Sequence, residues 1–287
     1  MRTLLRLSRP LHLLLAALTY SLGASIANYL GKIYRPDSFW LGLAGVLLAQ
    51  ASMHLLSAVF RLDAEPLTEN ETRRERMVLR NNALYVSIAA LTANAVFAFI
   101  LFTSRYLSMA AFSFLLLSLA FILGYSLPPF RNRGFGEFLL AAHLAYIIPS
   151  LAYLLQADET HRFLVLSIPL TFLAFAYFII TDFPTFASDQ KYNRTTFLTR
   201  LGWERVIPLH HVFLLFAYIF FAISPALGLS LSLIWPAFLT LPFALFQIFL
   251  LRNLSLGAPA NWTLLTATAL AVFGLTTYFL TLTFWLR

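Results

Sequence analysis

Long apolar runs separated by short polar stretches form the main pattern of this chain. Nine apolar segments can be marked, at 10–31, 39–60, 82–103, 107–127, 136–156, 163–181, 206–223, 229–250 and 262–286. Each is close to the ~20 residues that an α-helix needs to cross ~30 Å of hydrocarbon. The pattern therefore predicts an all-α, polytopic membrane protein whose nine transmembrane helices form one domain over residues 1–287.

The composition agrees with this prediction and narrows the chemistry. Of the 287 residues, 60% are hydrophobic and only 11% are charged, which is typical of a membrane protein and not of a soluble domain. The first apolar segment is longer than the core of a signal peptide and lacks a small-residue cleavage site, so we expect a retained first span. Cysteine is absent, which excludes disulfides and thiolate chemistry.

The positive charge of the chain is explained by topology. Its net charge of +8 would suggest nucleic acid binding in a soluble protein, but here the cations lie between apolar runs, and no nucleic acid partner is expected. With nine spans and a cytoplasmic N-terminus, fifteen of the twenty Lys and Arg residues fall on the cytoplasmic side. The positive-inside rule thus predicts a cytoplasmic N-terminus and a C-terminus on the opposite side, in the plasma (inner) membrane.

The polar connections are concentrated on the same predicted side. The longest are 61–81 and 182–205, and a shorter one lies at 128–135. We therefore expect the chemistry at the cytoplasmic mouth of the bundle, where a charged head group is held outside and an apolar tail lies inside, among membrane lipids.

The connection that follows the sixth segment carries candidate metal and phosphate ligands. If it stays helical, Asp182 and Asp189 lie two turns and roughly 10 Å apart on one face. That spacing suits two carboxylates holding separate Mg²⁺ ions on a diphosphate, because Mg²⁺ binds through one or two carboxylates plus substrate phosphates. Lys191 and Arg194 could neutralise phosphate oxygens. The alternative interpretation is a polar loop with helix-capping aspartates and positive-inside cations.

Three patches resemble the UbiA-type intramembrane prenyltransferase superfamily, and the menaquinone-type branch in particular. Leu7-Ser8-Arg9-Pro10 is similar to the start of the family's first span. The stretch 124–137 is similar to its Tyr-Ser-x-Pro-Pro…Arg-Gly-x-Gly-Glu loop, and 182–202 to its second aspartate motif, although Asn193 stands where glycine is usual.

The resemblance implies a UbiA-like bundle that moves a polyprenyl group from its diphosphate to an aromatic or quinone-precursor acceptor, with Mg²⁺. It assigns Mg²⁺ to Asp182 and Asp189, a second ion to Glu65 or Asp63, and phosphate to Lys191, Arg194, Arg131 and Arg133. Tyr125 would orient a substrate. As alternatives, Arg131 and Arg133 are topology charges, Tyr125 is an interface anchor, and Glu137 caps its helix through the helix dipole.

The first aspartate motif departs from the family pattern. Its Asn-Asp-x-x-Asp-x-x-x-Asp positions fall on Ser57, Ala58, Arg61 and Glu65, so only the last is acidic, and Asp63 lies out of register. Arg61 would place a fixed positive charge where a metal ion would otherwise neutralise the leaving diphosphate. The alternative is that Arg61 is a juxtamembrane positive-inside residue in a decayed site.

Three functions follow from these observations. One is an active prenyltransferase, favoured by the well-kept second motif. Another is a catalytically impaired paralogue that holds a quinone, pigment or lipid as a membrane-complex subunit or chaperone, favoured by the changes at Ser57, Ala58 and Arg61. A transporter is weaker, because it would need polar groups near the bilayer midplane, where the sequence has few.

Overall fold

The computed structural model describes residues 2–62, 65–68, 71–128 and 133–287. Within those ranges the chain is helical and contains no strand. Nine of its helices are long and apolar enough to cross a membrane, as the apolar pattern predicts. They are α1 (Pro10–Tyr29), α2 (Pro36–Val59), α3 (Arg73–Thr103), α4 (Met109–Ser126), α5 (Gly136–Leu154), α6 (Arg162–Lys191), α7 (Trp203–Leu227), α8 (Leu231–Ser255) and α9 (Trp262–Leu286).

Two of the predicted connections are shorter than expected because helix continues into them. Helix α3 begins at Arg73, since Thr72 and Glu75 form a capping box in which each side chain accepts the other's backbone N–H. The second half of the predicted loop 61–81 is therefore helical. Helix α6 likewise continues to Lys191, and a further short helix spans Phe197–Leu201 within the predicted loop 182–205.

The bundle is built around α5 and α6. Helix α1 packs against α2, α5 and α9, and α6 packs against α5, α7 and α9. In the most apolar stretches of α5 and α6, 83% and 72% of the residues are buried, whereas in α3 and α4 only 17% and 22% are. Since the apolar side chains of α3 and α4 face outward, these two helices are the ones that contact lipid most extensively.

Helix α1 approaches α5 closely at a glycine. A Cβ atom at Gly23 would overlap the backbone carbonyl oxygen of Pro149, so this contact admits no larger residue. In the other half of the bundle, α7, α8 and α9 are joined by hydroxyl groups. Tyr218 Oη lies 2.9 Å from Thr240 Oγ1, which lies 2.6 Å from Thr276 Oγ1.

A line of buried polar side chains also crosses α1, α2, α4 and α5. Ser118 Oγ lies 2.8 Å from His143 Nε2, and His143 Nδ1 lies 3.0 Å from Gln50 Oε1. Gln50 Nε2 lies 3.0 Å from His54 Nε2, which is 3.2 Å from His12 Nδ1. The amide of Gln50 thus links two histidines, His143 and His54, inside the bundle. The amide and the histidines supply one another with the polar partners that hydrocarbon cannot provide.

Candidate functional site

One end of the bundle contains a cleft of about 120 Å³. It lies at the end that carries the three polar connections and is lined by residues from α2, α4, α5 and α6 and by Arg9, which directly precedes α1. Its charged and polar lining includes Arg9, Ser57, Glu65, Tyr125, Glu137, Asp182, Asn193 and Arg194, and its apolar lining includes Leu140 and Phe178. The cleft thus combines fixed charges at a mouth with an apolar inner wall.

The segment between the two aspartates of α6 is not regular α-helix. The α-helical part ends at Asp182, and a 3-10 turn over Phe183–Thr185 precedes the last helical segment, Phe186–Lys191. Asp182 lines the cleft, whereas Asp189 is buried beside it. The 3-10 turn changes the angular spacing between the two aspartates, and their position on one face stays a prediction.

Asp189 forms an ion pair with an arginine side chain. Its Oδ1 atom lies 3.3 Å from Arg194 Nη1, and its Oδ2 atom accepts a hydrogen bond of 2.9 Å from the Thr185 hydroxyl. Burial alone would lower the pKa of Arg194, but the Asp189 carboxylate raises it above its ordinary value. Arg194 therefore stays charged, and it presents this charge to the cleft.

Asp182 faces a carboxylate from another helix. The carboxyl groups of Asp182 and Glu137 lie within hydrogen-bonding reach of each other. Glu137 Oε1 accepts a hydrogen bond of 3.0 Å from the Phe197 N–H, so this residue joins the start of α5 to the short helix Phe197–Leu201. Its Oε2 atom and Asp182 Oδ2 are buried, and neither has a hydrogen-bond partner among the described residues.

The first motif contains an internal ion pair. Arg61 Nη1 lies 3.3 Å from Glu65 Oε1 and donates a longer hydrogen bond, of 3.4 Å, to the Pro66 carbonyl. Arg80 supports this turn by donating to the carbonyls of Arg61 and Leu62. Among the aligned positions, Ser57 and Glu65 line the cleft.

Other residues predicted for the site lie outside the cleft or outside the described part of the chain. Ala58 is buried in the packing. Lys191 is exposed, with its ammonium 5.3 Å from the centre of the Tyr192 ring. Arg133 is exposed, and its carbonyl accepts from Arg200. Asp63 and Arg131 fall outside the described residues. Tyr125 does line the cleft, and its ring centre is 6.0 Å from that of His54.

The structure adds three residues that the sequence did not assign to the site. Glu137 was interpreted as a helix cap, and Arg9 and Asn193 had no role. Both Arg9 and Asn193 adopt left-handed backbone conformations, each with φ of 51°. Asparagine tolerates this conformation better than most residues, which explains how it can stand where the family has glycine. The Arg9-Pro10 pair was the available signal for Arg9, since the residue before a proline avoids the right-handed helical region.

The donor set can bind phosphate and a hard cation. Arg9 and Arg194 are guanidinium groups, which match phosphate oxygens in a bidentate way. The described residues contain no cluster of three or more His, Cys, Asp or Glu residues that could enclose a metal ion. Two carboxylates, however, are sufficient for Mg²⁺ when substrate phosphates complete its coordination.

Comparison with known proteins places the chain in a family. A sequence profile of the UbiA prenyltransferase family matches residues 13–265. No curated protein sequence matches the chain significantly.

Solved structures show the same fold at low sequence identity. A UbiA homolog from Archaeoglobus fulgidus bound to GPP and Mg²⁺ superposes with a TM-score of 0.64 at 17% identity, covering 98% of this chain and 99% of that one. The same homolog bound to Cd²⁺ gives 0.62 at 18% identity over 98% of both chains. The apo structure of a UbiA homolog from Aeropyrum pernix K1 gives 0.58 at 14% identity, over 92% and 96%. At these identities, the likeness shows the fold alone.

Proposed function

The chain belongs to the UbiA prenyltransferase family, and we propose that it transfers a polyprenyl group from its diphosphate to an aromatic or quinone-precursor acceptor. The observation that carries this proposal is the cleft itself. It brings Asp182, Glu137, Arg9 and Arg194 to one mouth above the apolar side chains of Leu140 and Phe178. A diphosphate fits the charged mouth, and its hydrocarbon chain fits the apolar side.

The arginines would bind the diphosphate. Arg194 is held in place by Asp189. Its guanidinium is therefore already ordered at the cleft and loses little side-chain entropy when the substrate binds. Arg9 faces it from the start of α1 in a constrained backbone conformation. Lys191, Arg131 and Arg133 lie on or near the flanking connections and would add positive charge that attracts the anionic substrate.

Bond cleavage develops negative charge on the leaving diphosphate, and fixed cations directed at that position stabilise it. Arg9 and Arg194 supply such charge from the chain itself. The Arg61 guanidinium, next to Glu65 at the cleft wall, adds a third cation near the leaving group. Tyr125 would orient the substrate from the end of α4.

The buried Asp182 Oδ2 atom, which has no donor within the described ranges, fits a bound Mg²⁺ ion. Asp182 would hold the ion, and Asp189, Glu65 and Asp63 are the further acids that the family resemblance suggests. Mg²⁺ bound there would neutralise charge on the leaving diphosphate.

A second candidate function is a catalytically impaired paralogue that holds a quinone, pigment or lipid, alone or with a protein partner. The Arg61–Glu65 pair favours it, because the acid that remains in the first motif is already neutralised. An open apolar groove of about 600 Å³ between α3 and α4, lined by Phe99, Phe112 and Leu116 among others, could hold such a ligand.

The location of the protein follows from its nine spans. It is an integral membrane protein. We propose the plasma (inner) membrane, with the N-terminus and the cleft on the cytoplasmic side, because fifteen of the twenty cations lie there in that orientation. Because its motifs resemble those of the menaquinone-type branch, we propose that the protein acts in quinone biosynthesis.

Binding of a non-hydrolysable prenyl diphosphate analogue to the purified protein tests the function, with and without Mg²⁺. We expect tight binding that requires Mg²⁺ and is lost in Asp182→Asn. Binding that does not need Mg²⁺ but is lost in Arg61→Ala would indicate a site in which arginine replaces the metal. Lack of binding in every condition would favour the paralogue that holds a quinone or lipid.

A further inference from the structure

The carboxylates in and around the cleft differ in what neutralises them. Glu65 is paired with Arg61 at 3.3 Å, and Asp189 is paired with Arg194 at 3.3 Å. Asp182 and Glu137 face each other instead, and each keeps one buried oxygen without a donor among the residues described. Two of these acids therefore have an arginine partner, whereas the other two have each other.

A pair of facing carboxylates is unfavourable in a buried site unless positive charge or a shared proton lies between them. Glu137 is only 6% exposed, and it lines the same cleft as Asp182. Arg9 and Arg194 line the same cleft and lower the local negative charge, but neither forms an ion pair with Glu137 or Asp182 in the described structure. A hard divalent cation supplies the missing partner for both oxygens at once.

We propose that Glu137 and Asp182 form a single divalent-cation site that replaces the lost first motif. Glu137 takes the place of the acids that are absent at positions 58 and 61. The third and later ligands are water or, when a diphosphate is bound, its oxygens. This inference makes the proposed function more specific, because the site would hold one ion, and not one ion on each aspartate motif.

The assignment also explains the position of Glu137. Its Oε1 atom is fixed by the Phe197 N–H, whereas Oε2 has no hydrogen-bond donor among the described residues. One oxygen thus orients the side chain and the other is available to a cation, as in ligands that are held by outer hydrogen bonds. The cost of burying the second oxygen is offset only when a cation binds.

The test measures Mn²⁺ binding by electron paramagnetic resonance on the full-length protein in detergent, with Mn²⁺ alone. Mn²⁺ takes the same oxygen ligands as Mg²⁺. We expect one ion per chain, with the affinity lowered at least tenfold in Glu137→Gln and in Asp182→Asn. The exposed control Glu204→Gln should stay within twofold of wild type.

The variant Glu137→Gln retains an oxygen that can accept from Phe197, so the helix contact is preserved, and thermal unfolding would check this. If Glu137→Gln unfolds nevertheless, electron–nuclear couplings decide the question in folded Glu65→Gln protein, in which a glutamate signal cannot come from position 65. Mn²⁺ should couple to ¹³C-labelled carboxylates of both glutamate and aspartate. Coupling to aspartate alone, two bound ions, or unchanged affinity in Glu137→Gln would each overturn the inference.

A second arm adds the prenyl diphosphate analogue and separates this inference from the proposed function. If the predicted Mn²⁺ site is present but the analogue does not bind, the proposed function fails and the metal site stands. If the analogue binds but the Mn²⁺ affinity is unchanged in Glu137→Gln, the inferred metal site is wrong and the proposed function stands.

Discussion

The Nη1 atom of Arg61 lies 3.3 Å from the Oε1 atom of Glu65, four residues further along the chain. The side chains are 19% and 8% exposed, so the pair is largely removed from water. In the family pattern these positions carry two acids. Here an acid and a base occupy them, and the charge of the remaining acid is balanced within the chain.

We expect Arg61→Met and Glu65→Gln each to lower the free energy of unfolding by roughly 1–3 kcal/mol, because each removes one side of a largely buried ion pair. The double variant should cost less than the sum, since it removes both partners. A double-mutant cycle from chemical unfolding in detergent measures this coupling.

The exposed pair Arg35–Asp158 provides the control for that cycle. Its atoms are 3.7 Å apart and its side chains are 30% and 70% exposed. Asp158→Asn should change stability by less than about 1 kcal/mol. Additive effects of the two substitutions at Arg61 and Glu65 would show that the pair contributes nothing.

Glu71 gives the connection before α3 a dependence on pH. Its carboxylate accepts hydrogen bonds from the N–H groups of Leu67 and Thr68, at 2.8 and 2.9 Å, and lies 2.6 Å from Arg76 Nε. Burial would raise the pKa of Glu71, but these hydrogen bonds lower it below its ordinary value near 4.5. The stability that Glu71 contributes is therefore present above about pH 4.5 and is lost as the pH falls through the lower folded pKa.

Hydrogen exchange of the Leu67 and Thr68 amides measures this contribution. At pH 7 we expect protection that Glu71→Gln reduces, and the difference between the two proteins should shrink as the pH falls through the folded pKa of Glu71, once intrinsic exchange rates are divided out. Glu75→Gln is the matched control, because its carboxylate accepts from Thr72 and not from Leu67 or Thr68. Equal protection in wild type and Glu71→Gln at pH 7 would contradict the assignment.

The apolar pattern was sufficient to predict the nine spans, because the thickness of hydrocarbon sets both the length and the composition of a crossing helix. The apolar pattern was less informative about helix ends that lie beyond the apolar segments. The start of α3 at Arg73 depends on the Thr72–Glu75 capping box, a local hydrogen-bond motif that hydropathy does not register. The 3-10 turn after Asp182 was not predicted either, although Pro184 lies within it.

The site could be predicted only where its contacts are local. The Arg61–Glu65 pair has the spacing of neighbours on a helix, so the sequence contains its geometry. Glu137 and Asp182 are 45 positions apart (182 less 137) and meet because α5 packs against α6. A contact of this kind depends on tertiary packing, and helical periodicity contains no information about it.

The contact between α1 and α5 predicts that Gly23 tolerates substitution by alanine far less than Gly124 does. In Gly23→Ala, the new Cβ would overlap the Pro149 carbonyl oxygen and lie 2.9 Å from Ala152 Cβ. Because the overlapped atom is backbone, the two helices must separate, and we expect a loss of about 1–3 kcal/mol in unfolding free energy.

Gly124→Ala is the control, since the nearest atom to its Cβ would be Leu139 Cδ1 at an ordinary 3.5 Å. This substitution in α4 should be neutral or stabilising by up to about 1 kcal/mol, because alanine is the better helix former. The measurement is the midpoint of unfolding in detergent for both variants. If both alanines are tolerated alike, the close approach of α1 to α5 is wrong.

Two buried glutamines differ in whether their amides are bonded, and this difference predicts opposite effects of one substitution. Gln50 Oε1 and Nε2 bond to His143 and His54, whereas Gln247 Nε2 is buried and has no partner within the described chain. Gln50→Leu leaves His143 Nδ1 without its partner and removes one of the two partners of His54 Nε2, so it should cost roughly 2–3 kcal/mol. Gln247→Leu removes an unsatisfied amide from an apolar site and should be neutral or stabilising.

Unfolding of the two variants in the same detergent compares equal changes in size and polarity. Because the substitutions are identical, the difference in their effects isolates the hydrogen bonds, and equal losses would mean that the His–Gln–His line contributes no stability.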